Sequence, residues 1–217
     1  MIDQILPDWV AVAESRTDGY LDELYPEERE LIANAVAKRQ EEFATVRSCA
    51  RRAMRQLDIA PVPVLPGERG APGWPAGVVG SMTHCAGYRA AVLASDRLAV
   101  SIGVDAEPHE PLPAGVIDLV ALPAERDQLA ELSGSRPRSH WDRLLFSMKE
   151  SVYKAWFPLT RRWLDFQQAQ LQIDPIGQRF QARLLVTGPQ VHGAELSVFE
   201  GRYLIQDGFV LSAIVIE

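Results

Sequence analysis

Apolar residues recur along this chain at two different periods, and each period predicts an element. In FSMKESVYKAW, residues 146 to 156, Met148, Val152 and Trp156 are each four apart and share one helix face. This predicts a helix that starts near Ser139 or His140 and ends by Pro158. Residues 20 to 58 repeat the pattern at Phe43, Val46, Ala50, Met54 and Leu57, with no glycine and no proline after Pro26, and read as helix. The Pro- and Gly-rich stretch 59–77 predicts a long ordered loop, with a short strand at 62–65. GVVGSMTH, YRAAVLAS and LAVSIGVDAE read as strands, 111–135 returns to a helical pattern, and from 169 onward apolar runs alternate with turns as in an antiparallel meander. Helix, strands, helices, strands in that order predict an α+β fold, divisible at a seam near 105–115 into halves 1–110 and 111–217. No internal sequence repeat stands out.

Composition narrows the function classes. The 217 residues are 47% hydrophobic, enough for a real core. Net charge is −7, so a site for phosphate must come from a local cluster of cations. The same charge, and the lack of exposed aromatics among the basic helical positions, argue against a nucleic-acid binder. Cys49 and Cys85 form no CxxC pair, which fits a reducing cytosol without zinc or disulfides. MIDQILPDWV has no basic n-region and no long apolar run, so no signal peptide or membrane contact is expected.

Four groups of residues carry candidate chemistry. Glu150 lies roughly opposite the apolar face of its helix, beside Phe146, Tyr153 and Phe157. A carboxylate among aromatics is either paired or used for chemistry. Lys154, four residues on, is placed for an ordinary helix ion pair with it. In SIGVDAEP, Asp105 and Glu107 alternate on a strand and face one way, which suits a hard divalent cation or two solvated acids. Gly80, Ser81, Thr83 and His84 are read as a turn, either a phosphate cradle or a plain hairpin. Arg39, Arg47, Arg51 and Arg55 form a helical stripe, either a phosphate grip or a solvated face laced with Glu41 and Glu42. His109, His140 and His192 are scattered singles with no assigned role.

The basic helix, the G-S-x-T-H segment, the G-V-D-x-E strand end and the F-x-x-K-E-x-x-Y-K helix, in this order, resemble the 4'-phosphopantetheinyl transferases of the long, single-chain Sfp/EntD-type branch. The resemblance runs from about residue 30 to 170. It implies two similar α/β subdomains in a pseudo-twofold relation, with the active site at their seam. It implies a cytoplasmic monomer that moves phosphopantetheine from coenzyme A to a serine of an apo acyl or peptidyl carrier protein. Adenosine 3',5'-bisphosphate is the by-product, and Mg2+ (or Mn2+) is the metal. By the same resemblance Asp105, Glu107 and Glu150 match metal-binding acids, and Ala106 between two of them can offer only its backbone or a water-bridged contact. Thr83, His84, Arg39 and Arg47 match positions that contact coenzyme A. Lys154 matches a lysine at the diphosphate, and Leu164 a position beside the coenzyme. Pro66, Gly67, Glu68 and Arg69 align with a segment touching adenine and phosphates, where relatives often carry one more basic residue. Glu150 is the expected base, with Lys154 and His84 stabilising charge. Carrier docking is expected near Val116, Ile117 and Leu119. A magnesium-dependent phosphodiesterase acting on coenzyme A, or a non-catalytic binding module, are the competing readings.

Overall fold

The computed structural model describes residues 1–217 and shows the expected α+β mixture. A three-stranded antiparallel sheet joins β1 (Ala11–Ser15), β3 (Tyr88–Ser95) and β2 (Val78–Cys85) in that order. The long helix α2 (Ala37–Gln56) packs on it through Cys49, Ala50, Ala53 and Met54, all fully buried. A five-stranded antiparallel sheet runs β4 (Ser101–Pro108), β10 (Phe209–Ile216), β9 (Val198–Gln206), β6 (Arg179–Leu184) and β5 (Ala169–Asp174). On it lies α5 (Trp141–Thr160), burying Leu144, Leu145, Met148, Val152 and Trp156. The helix face read from the sequence is therefore the core face.

The two sheets meet through side chains. Ser81 and Thr83 of β2 accept the backbone N–H groups of Val104 and Ala106 of β4, at 3.1 and 3.0 Å. On the other side of β4, Gly103 lets α5 lie against the strand. A Cβ there would collide with the Ser151 carbonyl and the Ala155 N–H.

Several local expectations are corrected. The 20–58 helix is broken into α1 (Pro26–Ile32) and α2, because Pro26 starts a new helix and 33–36 leave the helical path. No strand forms at 62–65, where Pro61 and Pro63 restrict pairing. The 111–135 pattern splits into α3 (Val116–Val120) and α4 (Pro123–Ser135), again at a proline. Pro158 stays inside α5, which continues to Thr160. Gly80, Ser81, Thr83 and His84 lie on strand β2 rather than in the hairpin turn, which falls at Ala86 and Gly87.

Two helices begin in the same way. Pro26-Glu27-Glu28-Arg29 opens α1 and Pro123-Ala124-Glu125-Arg126 opens α4. Glu28 is fully buried and accepts the N–H groups of Tyr25 and Val64 and the Arg51 guanidinium of α2, at 3.1, 2.8 and 3.0 Å. Glu125 is buried likewise and accepts the N–H groups of Leu122 and Leu171, both at 2.7 Å, and the Lys149 ammonium of α5, at 2.9 Å. Each acid ties a short helix to a long one and to a distant segment. The arginine after each bonds back to a carbonyl, Asp22 or Asp118. Lys149 is thus a structural cation.

Candidate active site

A cleft of about 890 Å³ lies between α2, the 66–74 loop, β2 and α5. Its wall carries Arg39, Arg47, Arg69, Lys154 and Arg161, with Glu150 as the sole carboxylate. In a chain of net charge −7 this is a local concentration of positive charge, suited to an anion bearing several phosphates.

The arginine stripe of α2 is only partly a solvated face: Arg55 is exposed, but Arg47 and Arg51 are buried. Arg47 is buried, donates to the Val64 carbonyl at 3.0 Å and stacks on Phe43, and burial pulls its guanidinium down to about 10. Arg51 is spent on Glu28. Arg39, half exposed, reaches the cleft and donates to His84 Nε2 at 2.7 Å. Arginine has no acceptor, so His84 faces it as a neutral ring. Burial, and then Arg39 itself, push the imidazole below its ordinary range.

At the metal-proposed end, Lys154 turns away from Glu150. It donates to Asp105 Oδ1 at 2.7 Å and to the Val104 carbonyl at 3.1 Å. The i,i+4 pair suggested by the sequence is therefore replaced by a tertiary one. Thr83, buried on β2, also donates to Asp105 Oδ1, at 3.3 Å. Asp105 Oδ2 is buried with no donor. Burial and the nearby Asp105 charge raise the Glu150 carboxyl above its usual range. Glu107 is raised by the same causes in the same order, opposed by Arg143 at 2.8 Å.

As placed, no three of these groups close around one point. The orphaned Asp105 oxygen and the Glu150 carboxylate are nevertheless hard oxygen donors beside a cation-lined cleft. That matches a magnesium ion, which takes one or two carboxylates and completes its shell with substrate phosphates and water. Ala106 spends its N–H on Thr83.

The structure gathers Arg39, Arg47, Pro66, Gly67, Arg69, His84, Glu150 and Lys154 on the cleft wall. Glu68, Thr83, Asp105, Ala106, Glu107 and Leu164 are not on it. Leu164 is in the core and lines a separate cavity of about 100 Å³, which shares Glu150 and Tyr153 with the cleft. Sequence reasoning missed Arg161, Tyr153, Phe157 and Trp74 as wall residues. Helical spacing from Glu150 at three, seven and eleven residues would have found three of them. His109 and His140, read as singles, meet edge to face with ring centroids 4.9 Å apart.

Comparison with known proteins decides the family. A model of the 4'-phosphopantetheinyl transferase N-terminal domain matches residues 27–94, and one of the 4'-phosphopantetheinyl transferase superfamily matches 101–206. The 4'-phosphopantetheinyl transferase Svp of Streptomyces mobaraensis is 54% identical over 100% of this chain and 89% of its own. The chain belongs to the 4'-phosphopantetheinyl transferases, of the Sfp/EntD type. Npt of Nocardia iowensis is 48% identical over 99% of both chains, and PptT of Mycobacterium tuberculosis 50% over 88% of this chain and 85% of its own. This transferase contains no helix long and apolar enough to cross a membrane.

Proposed function

We propose that this transferase moves 4'-phosphopantetheine from coenzyme A to a serine of an apo acyl or peptidyl carrier protein, with Mg2+ or Mn2+ bound. The observation that carries the reading is the cation-lined cleft, which ends at Glu150 and the Lys154–Asp105 pair. Coenzyme A carries a diphosphate and a separate 3'-phosphate, and a cleft with five Arg or Lys side chains and one acid suits that charge.

Asp105, Glu107 and Glu150 would hold the metal, with the Ala106 backbone between two of them. The metal supplies charge neutralisation at the diphosphate. Arg39 and Arg47 of α2, His84 of β2 and Arg69 bind the nucleotide end, the last from the loop that includes Pro66, Gly67 and Glu68. Thr83 acts from beneath by holding Asp105, and Leu164 shapes the small cavity beside Glu150. Lys154 stabilises charge on the diphosphate oxygens. Glu150 takes the proton of the carrier serine as its Oγ attacks the phosphorus bearing the pantetheine arm. An O–P bond forms, the diphosphate bridge breaks, and adenosine 3',5'-bisphosphate leaves. Burial and the Asp105 charge, by raising the Glu150 carboxyl, make it a stronger proton acceptor than an ordinary glutamate.

The shared Pro-x-Glu-Arg helix starts, each tied to a 20-residue helix, support a pseudo-twofold relation between 1–110 and 111–217, with the site at their seam. Carrier docking falls on α3, where Leu119 is 71% exposed. Val116 and Ile117 are half-buried there, and Ile117 packs on the core. The enzyme acts as a cytoplasmic monomer.

The test is chromatographic. Coenzyme A, Mg2+ and an apo carrier should yield adenosine 3',5'-bisphosphate, and EDTA should stop it. Nucleotide release that does not require the carrier would instead make the protein a hydrolase of coenzyme A.

A further inference from the structure

One arginine outside the cleft spends its whole guanidinium on two things at once. Arg143, in the first turn of α5, donates Nη1 to Glu107 Oε2 at 2.8 Å, Nε to the Glu110 carbonyl at 3.1 Å and Nη2 to the Pro111 carbonyl at 2.9 Å. Its neighbour Asp142 accepts the Leu112 N–H at 2.8 Å. Two consecutive residues of α5 therefore pin 110–112, the connector between β4 and α3, and one of them also grips the second acid of the strand end. Both partners of the ion pair are largely sheltered, with side chains 15% and 20% exposed.

We infer that Arg143 is a positioning residue that couples the Glu107 carboxylate to the 110–112 connector. The inference rests on the proposed metal role of Glu107. The rigid planar fork of arginine is what permits the arrangement, since each of its three edges meets a different acceptor. The bond to Glu107 uses a single carboxylate oxygen, Oε2, so Oε1 can face an ion while Arg143 fixes the rotamer. Partners of this kind, one step behind a ligand, typically change metal affinity by about 10- to 100-fold when removed. The coupling runs both ways. An ion that fixes Glu107 also fixes Arg143, and through it the connector that leads to the exposed α3.

The test uses the full chain and Mn2+ as the probe ion, with free Mn2+ read by electron paramagnetic resonance. Wild type should bind Mn2+, and Arg143→Gln should bind it about tenfold more weakly. Arg143→Lys keeps the charge without the fork and should fall between the two. Hydrogen exchange supplies the second reading. Mn2+ should slow exchange at the Leu112 amide in wild type and leave it unchanged in Arg143→Gln. Circular dichroism of each variant confirms that it folds. Unaltered Mn2+ affinity in both variants, with faster connector exchange alone, would reduce Arg143 to a structural clamp and overturn the inference. Absence of Mn2+ binding by wild type would overturn the metal reading itself, and the inference with it.

Discussion

Arg39 and His84 face each other at 2.7 Å across the mouth of the cleft, with the arginine donating to the ring nitrogen Nε2. A neutral imidazole is required for that bond, and burial and the neighbouring cation depress the histidine. The folded protein therefore binds this proton less readily than the unfolded chain. Stability linked to His84 is present above its ordinary pKa of 6.5 and is lost as pH falls through that value towards the lower folded one. An anion bound between the two groups reverses the preference. NMR titration of His84 should show a pKa below 6.5 in the free protein and an upward shift with adenosine 3',5'-bisphosphate. An unchanged value on addition of the nucleotide would remove His84 from the binding site.

Lys154 neutralises Asp105, whose other oxygen is already orphaned. Lys154→Met should leave a buried carboxylate without its cation and destabilise the fold by about 2 kcal/mol at pH 7. The figure is below the cost of breaking a fully buried pair because the lysine side chain is 27% exposed. Chemical denaturation measures it. A variant as stable as wild type at pH 7 would show that the pair contributes nothing to the fold.

The two buried acids at the helix starts should behave alike. Glu28→Ala and Glu125→Ala each strip a buried cation and two backbone N–H groups of their acceptor, and should each cost about 3 to 5 kcal/mol. Glu28→Ala should also weaken coenzyme A binding, because Glu28 holds Val64 and Arg47 hydrogen-bonds that residue's carbonyl. Calorimetric melting and a coenzyme A titration separate the two effects.

The apolar spacing of Met148, Val152 and Trp156 gave the core face of α5, because a buried helix face needs no partner information to be seen. The strand ending at Asp105 and Glu107 was legible for the same reason. Where charges go was not. Lys154 had a plausible partner four residues away and took one from another strand. Arg47 and Arg51 look solvated beside Glu41 and Glu42, yet they are buried because Glu28, in a separate helix, takes Arg51 and Val64 takes Arg47. The strand at Ala11–Ser15 is short and was missed. The proline-led helix starts were visible as letters, but only their shared hydrogen bonds show them to be equivalent.

Glu150 stands between the cleft and the small cavity, without a cation of its own, since Lys154 is turned to Asp105. Glu150→Gln keeps the shape and removes the base. It should lower turnover by at least about 100-fold while the protein stays folded. Steady-state rates at saturating coenzyme A measure this, and a rate near that of wild type would exclude Glu150 as the base.

The most direct test of phosphopantetheine transfer is the intact mass of a carrier protein. Wild-type enzyme, coenzyme A and Mg2+ are incubated with an apo carrier and, in parallel, with the same carrier whose acceptor serine is alanine. Metal-dependent transfer to serine should add one phosphopantetheine to the first carrier, none to the second, and none to either with EDTA. A gain on the alanine carrier, or one that survives EDTA, would contradict it.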